Sequence, residues 1–471
     1  MRPRNQAARD QLRSALARRP GVAAADLAQD LGVSLATLHR MLHEQRVQVL
    51  ATGKASRTRY ALRKPLRGDA ADVPLYEVGV DGQANALAPL ALVYPQGSRM
   101  DLSGSVWPLL DASRDGWWDG LPYPLYDMRP QGYLGRQIAR LHHRQWAVLS
   151  NPDEWSDDDV VYVLSHSGHD VSGNLILGDP AFEQWQRGKL DPPEPIRARA
   201  VARAYAGLAE QAVAAGVAGS SAAGEFPKFP ALRERAGSAT PHVLVKFSGA
   251  DGSPAVQRWA DLLVCEHLAL EAAAALPGVH AARSCIVSSA GRTFLEVERF
   301  DRHGAFGRSP LVSLSTLDAA LLGDGSSDWT RLSQRLASAG WLSEAELPAV
   351  QALWWFGRLI ANSDMHAGNM SLRPGLHPTA SASQPPRARL SLAPAYDMLP
   401  MLYAPLPGGE LSRRSFEPPL PLPAQRAHWL TACTAALTFW RTAALDTRLS
   451  ASFARECTGN ATRLQDIAQR L

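Results

Sequence analysis

The sequence predicts an α+β protein. A two-lobed body, its first lobe mixed α/β and its second mainly helical, follows a small winged helix-turn-helix unit. Three observations predict this. The opening residues are basic and carry helix-turn-helix spacing; a short apolar strand with one lysine precedes a long apolar helix; and an apolar helix in the last third ends in a polar cluster, NSDMHAGN (362–369). The expected units are residues 1–66, 75–300 and 301–471.

At 471 residues the chain exceeds what one hydrophobic core usually supports. Hydrophobic residues make up 46% and charged residues 20%, which excludes disordered and fibrous classes. Cys265, Cys285, Cys433 and Cys457 stand far apart with no CxxC or Cys/His pairing, against a disulfide framework or structural zinc. The opening MRPRNQAARDQLR is charged with no apolar run behind it, which argues against a secretory signal. The apolar stretch 260–276 contains Glu266, His267 and Glu271, which argues against a membrane span. A cytoplasmic protein with no membrane partner is the expectation.

Charge is unevenly placed. Residues 1–67 hold 14 Lys and Arg against 4 Asp and Glu, so a net of +10 faces −6 in the remainder. Such a split points to a basic module with an anionic partner, or to a solvated basic tail. The pattern favours the module. Residues 7–17 have helical spacing at Ala8, Leu12 and Leu16; Leu27, Ala28 and Leu31 share one face of a short helix. Gly32 can take the left-handed turn, Ser34 can cap a second helix, and Leu35, Leu38, Met41 and Leu42 mark its buried stripe. Small Ala28, then Gly32, then Leu38 is helix-turn-helix spacing. Strands at 47–50 and 59–62 flank TGKASRT, a basic hairpin tip. Read as a reader of double-stranded DNA, Ser34, Ala36, Thr37 and Arg40 face the major groove while Lys54, Arg57 and Arg59 meet phosphates. The alternative is a small docking or dimerisation module.

KPLRGDAADVP (64–74) has linker composition. Beyond it, YEVGVDG suggests a strand and turn, and QGYLGRQIARLHH opens a helix; Trp117, Trp118, Tyr123 and Tyr126 are assigned to packing rather than to a stacking platform. No internal repeat stands out.

GVAGSSAAGEFPKFPAL (216–232) is rich in small residues and leads to Lys228; its backbone could cradle phosphates, though no Walker A pattern is present and, taken alone, the stretch reads better as a flexible linker. HVLVKFS (242–248) alternates as a strand around Lys246, and the next helix carries Glu266 among apolar neighbours. A strand lysine meeting a helix glutamate is how protein kinases hold the α- and β-phosphates. RTFLEVERFDR (292–302) is a strand that breaks into Glu298, Arg299, Phe300 and Asp301, the place of a hinge against which adenine packs. ALWWFGRLIANSD delivers Asp364 at a helix end, five residues before Asn369, as in the kinase pattern HRDxxxxN. SLAPAYDMLPM adds Asp397 after a strand, the place of a metal-binding aspartate. Each piece alone has an ordinary structural reading; the ordered set is the stronger signal.

With VERFDR, NSDMHAGN and AYDML in that order, residues 75–455 resemble the HipA-like serine/threonine kinase toxins. The basic front module makes the resemblance closest to the YjjJ branch. The resemblance implies a bilobal protein-kinase-like body using ATP and Mg2+. It makes Asp364 the catalytic base and gives the metal to Asn369 and Asp397. Lys246 and Glu266 would serve the phosphates, Glu298, Arg299 and Phe300 the adenine, and Ala223, Gly224, Glu225, Phe226, Pro227 and Lys228 a phosphate-facing loop. His366 and Tyr396, inside the same motifs, join the nucleotide set. It also implies autophosphorylation at Ser221, with Ser220 as its near neighbour, and a translation-related protein substrate such as an aminoacyl-tRNA synthetase. One position departs from the pattern: the usual lysine before the metal-binding asparagine is Gly368.

Three functions follow: a protein kinase fused to its own DNA-binding unit, a nucleotide-binding transcription regulator that transfers no phosphate, and a small-molecule phosphotransferase. A homodimer is compatible with all three.

Overall fold

The computed structural model describes residues 6–214, 226–377, 387–411 and 414–471. Ser220, Ser221, Ala223, Gly224 and Glu225 lie outside the described residues.

Helices Gln6–Arg18, Ala24–Asp30 and Leu35–Glu44 bury Leu12, Leu16, Leu27, Ala28, Leu38, Met41 and Leu42 in a core of their own, which Val49, Tyr60 and Leu62 complete. Gly32 makes the turn at φ +61°. The Ser34 hydroxyl accepts the Thr37 N–H at 3.3 Å, a cap worth about 1 kcal/mol. Strands Val49–Thr52 and Arg59–Leu62 form the expected hairpin. Three details differ from the sequence reading. The first strand lies two residues later than the expected 47–50, and Val47 is exposed. Leu35, counted in the buried stripe, is 49% exposed, because at the first helical position it precedes the turn that reaches the core. Val22–Ala23 adds a third strand beside Arg59–Leu62, too short to show alternation.

The stretch at 64–74 is not a loose tether. The Lys64 N–H donates to the Leu92 carbonyl and the Tyr94 N–H to the Leu62 carbonyl, both at 2.9 Å. Lys64 pairs with Asp158 at 2.8 Å, and Arg63 and Arg67 pair with Asp72 and Asp159. Leu50 and Ala61 of the hairpin pack with Ala91 and Val93. Turn-forming composition marked a bend here, and charge pairs fasten it to the body.

The two larger sheets of the body are antiparallel. The first orders Trp117–Trp118, Ser98–Arg99, Ala84–Leu92, Val73–Val78 and Leu175–Leu177. The second orders Ser284–Ser289, Arg292–Glu298, His242–Phe247 and Lys228–Leu232, with helix Pro254–Ala273 beside it. The last third is mainly helical, with Leu347–Leu359, Arg426–Leu445 and Ala451–Arg470 packed around Trp429, Trp440, Phe439 and Phe453. A small sheet of Val312–Ser313, Ser371–His377 and Arg387–Leu392 lies beside them. A parallel bridge between Ala281 and Ala395 ties the second sheet's edge to the segment that carries Asp397. Among the described residues no helix is long and apolar enough to cross a membrane.

Candidate active site

Alternation along His242–Phe247 turns Val243, Val245 and Phe247 into a core shared with Phe229 and Phe294, and leaves Lys246 to the other face. Its ammonium donates to both carboxylate oxygens of Glu266, at 2.7 and 2.8 Å, and to the Asp397 carboxylate. Glu266 is 1% exposed and Asp397 34% exposed. Burial pushes the Glu266 carboxyl up to about 7; Lys246 pulls against this and Asp397 adds to it. Burial would also raise Asp397, but Lys246 and then Lys228 hold it below the usual carboxylate range. Burial disfavours the charged lysine, yet the two carboxylates win and raise Lys246 above the ordinary lysine range. One cation thus joins strand, helix and the Asp397 turn.

The polar cluster NSDMHAGN is built just as tightly. Helix Leu347–Leu359 ends, and Ala361 takes φ +59°. Buried Asn362 then accepts the Asp364 N–H at 3.0 Å and donates to the Asp397 carbonyl at 3.3 Å, tying the two acidic turns together. The Asn369 amide donates to the Asp364 carbonyl at 2.8 Å, which leaves the amide oxygen as its acceptor end. The Asp364 carboxylate is 51% exposed and lies 3.9 Å from the His366 ring. Asp397 itself has φ +52°. The Tyr396 hydroxyl donates to the Gly368 carbonyl at 2.9 Å, and burial raises its pKa.

These groups border one cleft of about 900 Å³, lined by Phe226, Lys228, Lys246, Asp364, His366, Asn369, Tyr396 and Asp397. Sequence reasoning missed Tyr126, Asp127, Gln131, Ser172, Ser313, Ser315 and Thr316 on the same walls. Their spacing did not point to them, since they come from separate segments that only the fold brings together. Tyr126, assigned to packing alone, faces the cleft, whereas Tyr123 is buried and bonded to the Pro108 carbonyl.

Some expected residues sit beside the cleft. Glu266 stands behind Lys246. The Glu298 side chain accepts from the Ser238 hydroxyl at 2.6 Å. The Arg299 guanidinium is held in a buried cluster with Asp170 at 2.9 Å and Asp301 at 3.1 Å, next to Arg302. The backbone N–H groups of Glu298 and Arg299 are also taken, by the Arg283 and His242 carbonyls. The Glu298 and Arg299 side chains thus have partners within the protein and do not line the cleft. Phe300 remains, its ring 5.8 Å from that of Tyr396. Pro227 continues toward the edge strand, and its carbonyl accepts the Phe247 N–H at 3.0 Å.

A Cβ at Gly368 would stand 2.9 Å from the Nδ1 of the exposed His366 ring, which accepts the Gly368 N–H. With this imidazole placement, a larger residue at 368 requires the ring to move.

The basic front residues lie on the outer surface. Ser34, Arg40, Lys54 and Arg57 are exposed, and Thr37 and Arg59 are half-buried.

A family model of the YjjJ-like toxin middle domain matches residues 69–186. The toxin YjjJ of Escherichia coli (strain K12) is 36% identical over 434 residues, covering 91% of this chain and 92% of that protein. The chain belongs to the YjjJ-like toxins. A model of the HipA-like C-terminal domain matches residues 220–464 of this YjjJ-like chain, and every cleft residue from Phe226 to Asp397 falls inside it. Tyr126, Asp127 and Gln131 fall instead in the YjjJ-like middle match, so that part of the chain supplies a wall of the cleft. Among solved structures, a Shewanella oneidensis MR-1 complex of HipA, HipB and operator DNA is similar at 15% identity and TM-score 0.46, covering 84% of this chain and 97% of that one. The Helicobacter pylori proinflammatory kinase CtkA is similar at 13% identity and TM-score 0.32, covering 52% and 90%.

Proposed function

We propose that this chain is an ATP- and Mg2+-dependent protein serine/threonine kinase of toxin type, fused to a winged helix-turn-helix unit that binds double-stranded DNA. The observation that carries the enzymatic reading is Lys246, bonded at once to Glu266 and Asp397 in a cleft shared with Asp364 and Asn369. The Asp397 carboxylate and the Asn369 amide oxygen fit Mg2+, which takes one or two protein oxygens and completes its shell with phosphates and water. When bound there, Mg2+ would supply charge neutralisation for the transferring phosphates. Lys246 binds phosphate oxygens and Glu266 orients it. Asp364 accepts the proton of the incoming hydroxyl as its oxygen bonds to the γ-phosphorus, the bridging P–O bond breaks and ADP leaves. The protein substrate belongs to the translation machinery by resemblance, with an aminoacyl-tRNA synthetase as the expected class, and Ser221 is the autophosphorylated residue.

A second reading, a regulator that binds nucleotide without transferring phosphate, is favoured by Gly368. Incubation with labelled ATP and Mg2+ separates the two. Label on protein, mapped by mass spectrometry to Ser221, supports the kinase; tight ATP binding with no label supports the regulator.

The DNA reading rests on three helices, a basic hairpin and the exposed Arg40, Lys54 and Arg57. Arg40→Ala is expected to weaken duplex binding, and Lys54→Ala to weaken it while lowering the slope of log affinity against log salt by about 1. Titrations of labelled duplex at several salt concentrations check this. Binding unaffected by salt would contradict it.

A further inference from the structure

We propose that Asp127 is a positioning residue for the phosphoryl-transfer site, acting on the loop that carries Asn369; this rests on the kinase reading. Asp127 belongs to the short helical segment Tyr123–Met128, outside the part of the sequence that the HipA-like model matches. Its carboxylate accepts three hydrogen bonds: from the Ser313 N–H at 2.6 Å, the Ser313 hydroxyl at 2.7 Å and the Thr316 hydroxyl at 2.8 Å. Bonds to an ionised acceptor are strong and directional, so three of them leave the 313–316 turn one orientation.

That turn is fastened in its own right to the metal-directed residues. The Leu314 N–H donates to the carbonyl of Met370, the neighbour of Asn369, at 2.8 Å. Ser313 pairs with Ser371 in the small sheet. The Ser371 hydroxyl lies 2.7 Å from that of Tyr396, which in turn donates to the Gly368 carbonyl. The Asp127 chain therefore reaches both residues flanking Asn369 and the residue preceding Asp397. Asn362 ties the two turns directly; this chain is a second tie, anchored in the middle part of the protein. It sets the spacing of the Asn369 and Asp397 oxygens without contributing one of its own.

The test is calorimetric titration of the full chain with the ATP analogue AMP-PNP, with and without Mg2+, for wild type, Asp127→Ala and Thr316→Val. Folding is checked by circular dichroism. In Asp127→Ala the Mg2+-dependent gain in affinity is expected to fall about tenfold, the scale on which outer partners of a metal ligand act, while metal-free affinity stays within about twofold. The kcat for transfer falls with it and KM for ATP does not rise in proportion. Thr316→Val, which removes one donor at nearly constant volume, moves the gain the same way by less. A folded Asp127→Ala with the wild-type gain overturns the proposal. Equal losses with and without Mg2+ also overturn it, since they make Asp127 a nucleotide contact. If Asp127→Ala does not fold, an unchanged gain in Thr316→Val overturns it. A wild-type chain with no Mg2+-dependent gain sinks the kinase reading itself, and this inference with it.

Discussion

Asp364→Ala lowers phosphoryl transfer by on the order of 10³ while Mg-ATP still binds within about threefold of wild type. The carboxylate is half exposed, and the proposed kinase mechanism gives it to the reacting hydroxyl rather than to the fold. The backbone of Asp364 keeps its bonds to Asn362 and Asn369 after truncation, so no buried polar group loses its partner. Stability should stay within about 0.5 kcal/mol. Initial rates with labelled ATP, beside thermal melts of both proteins, check this. A rate near wild type would move the general base elsewhere and remove the role assigned to NSDMHAGN.

Lys246→Met has the largest expected effect on the fold. It leaves Glu266 and Asp397 without the cation bonded to both, Lys228 acting on them only by its charge, in a site where Glu266 is almost fully buried. Breaking a buried pair by deleting one partner costs about 3–5 kcal/mol, and phosphoryl transfer is lost with the phosphate contact. Urea unfolding at several pH values gives the check. In the wild type, Glu266 is raised from 4.5 to about 7, so the folded protein holds a proton that the unfolded chain releases. Its contribution is greatest below the unfolded value and is lost as pH rises through that window. Glu266→Gln should therefore flatten the fall of stability between these values. Asp397 acts in the opposite sense, since its lowered pKa gives stability that is lost as pH falls below the ordinary 3.8. Without Lys246 both carboxyls shift upward, so the Lys246→Met penalty is larger at neutral pH than in acid. A penalty independent of pH would contradict the three-way pairing.

Which parts of this arrangement were legible in the sequence follows from the range of the interactions. The Asp364–Asn369 spacing and the lone lysine of HVLVKFS are local patterns, set by one turn and by strand alternation. Lys246, Asp364 and Asn369 all line one cleft. The helix-turn-helix spacing likewise produced buried Leu27, Ala28 and Leu38 around a left-handed Gly32. Asp127 was illegible because its partners lie 186 and 189 residues away, and a carboxylate in an aromatic-rich loop carries no periodic signal. VERFDR was legible as a strand end, but not as part of a buried ion cluster, because Asp170 comes from a separate segment. The stretch at 64–74 had the composition of a linker; what fastens it is ion pairing to Asp158 and Asp159, again long-range.

The most direct test of the shared metal site is a crystal structure with AMP-PNP and Mn2+ in place of Mg2+, located by its anomalous signal. The account predicts one Mn2+ coordinated by the Asn369 amide oxygen and the Asp397 carboxylate, with the Lys246 ammonium on the phosphates and Asp364 facing the γ-phosphate. Mn2+ and nucleotide bound away from these four side chains would contradict it.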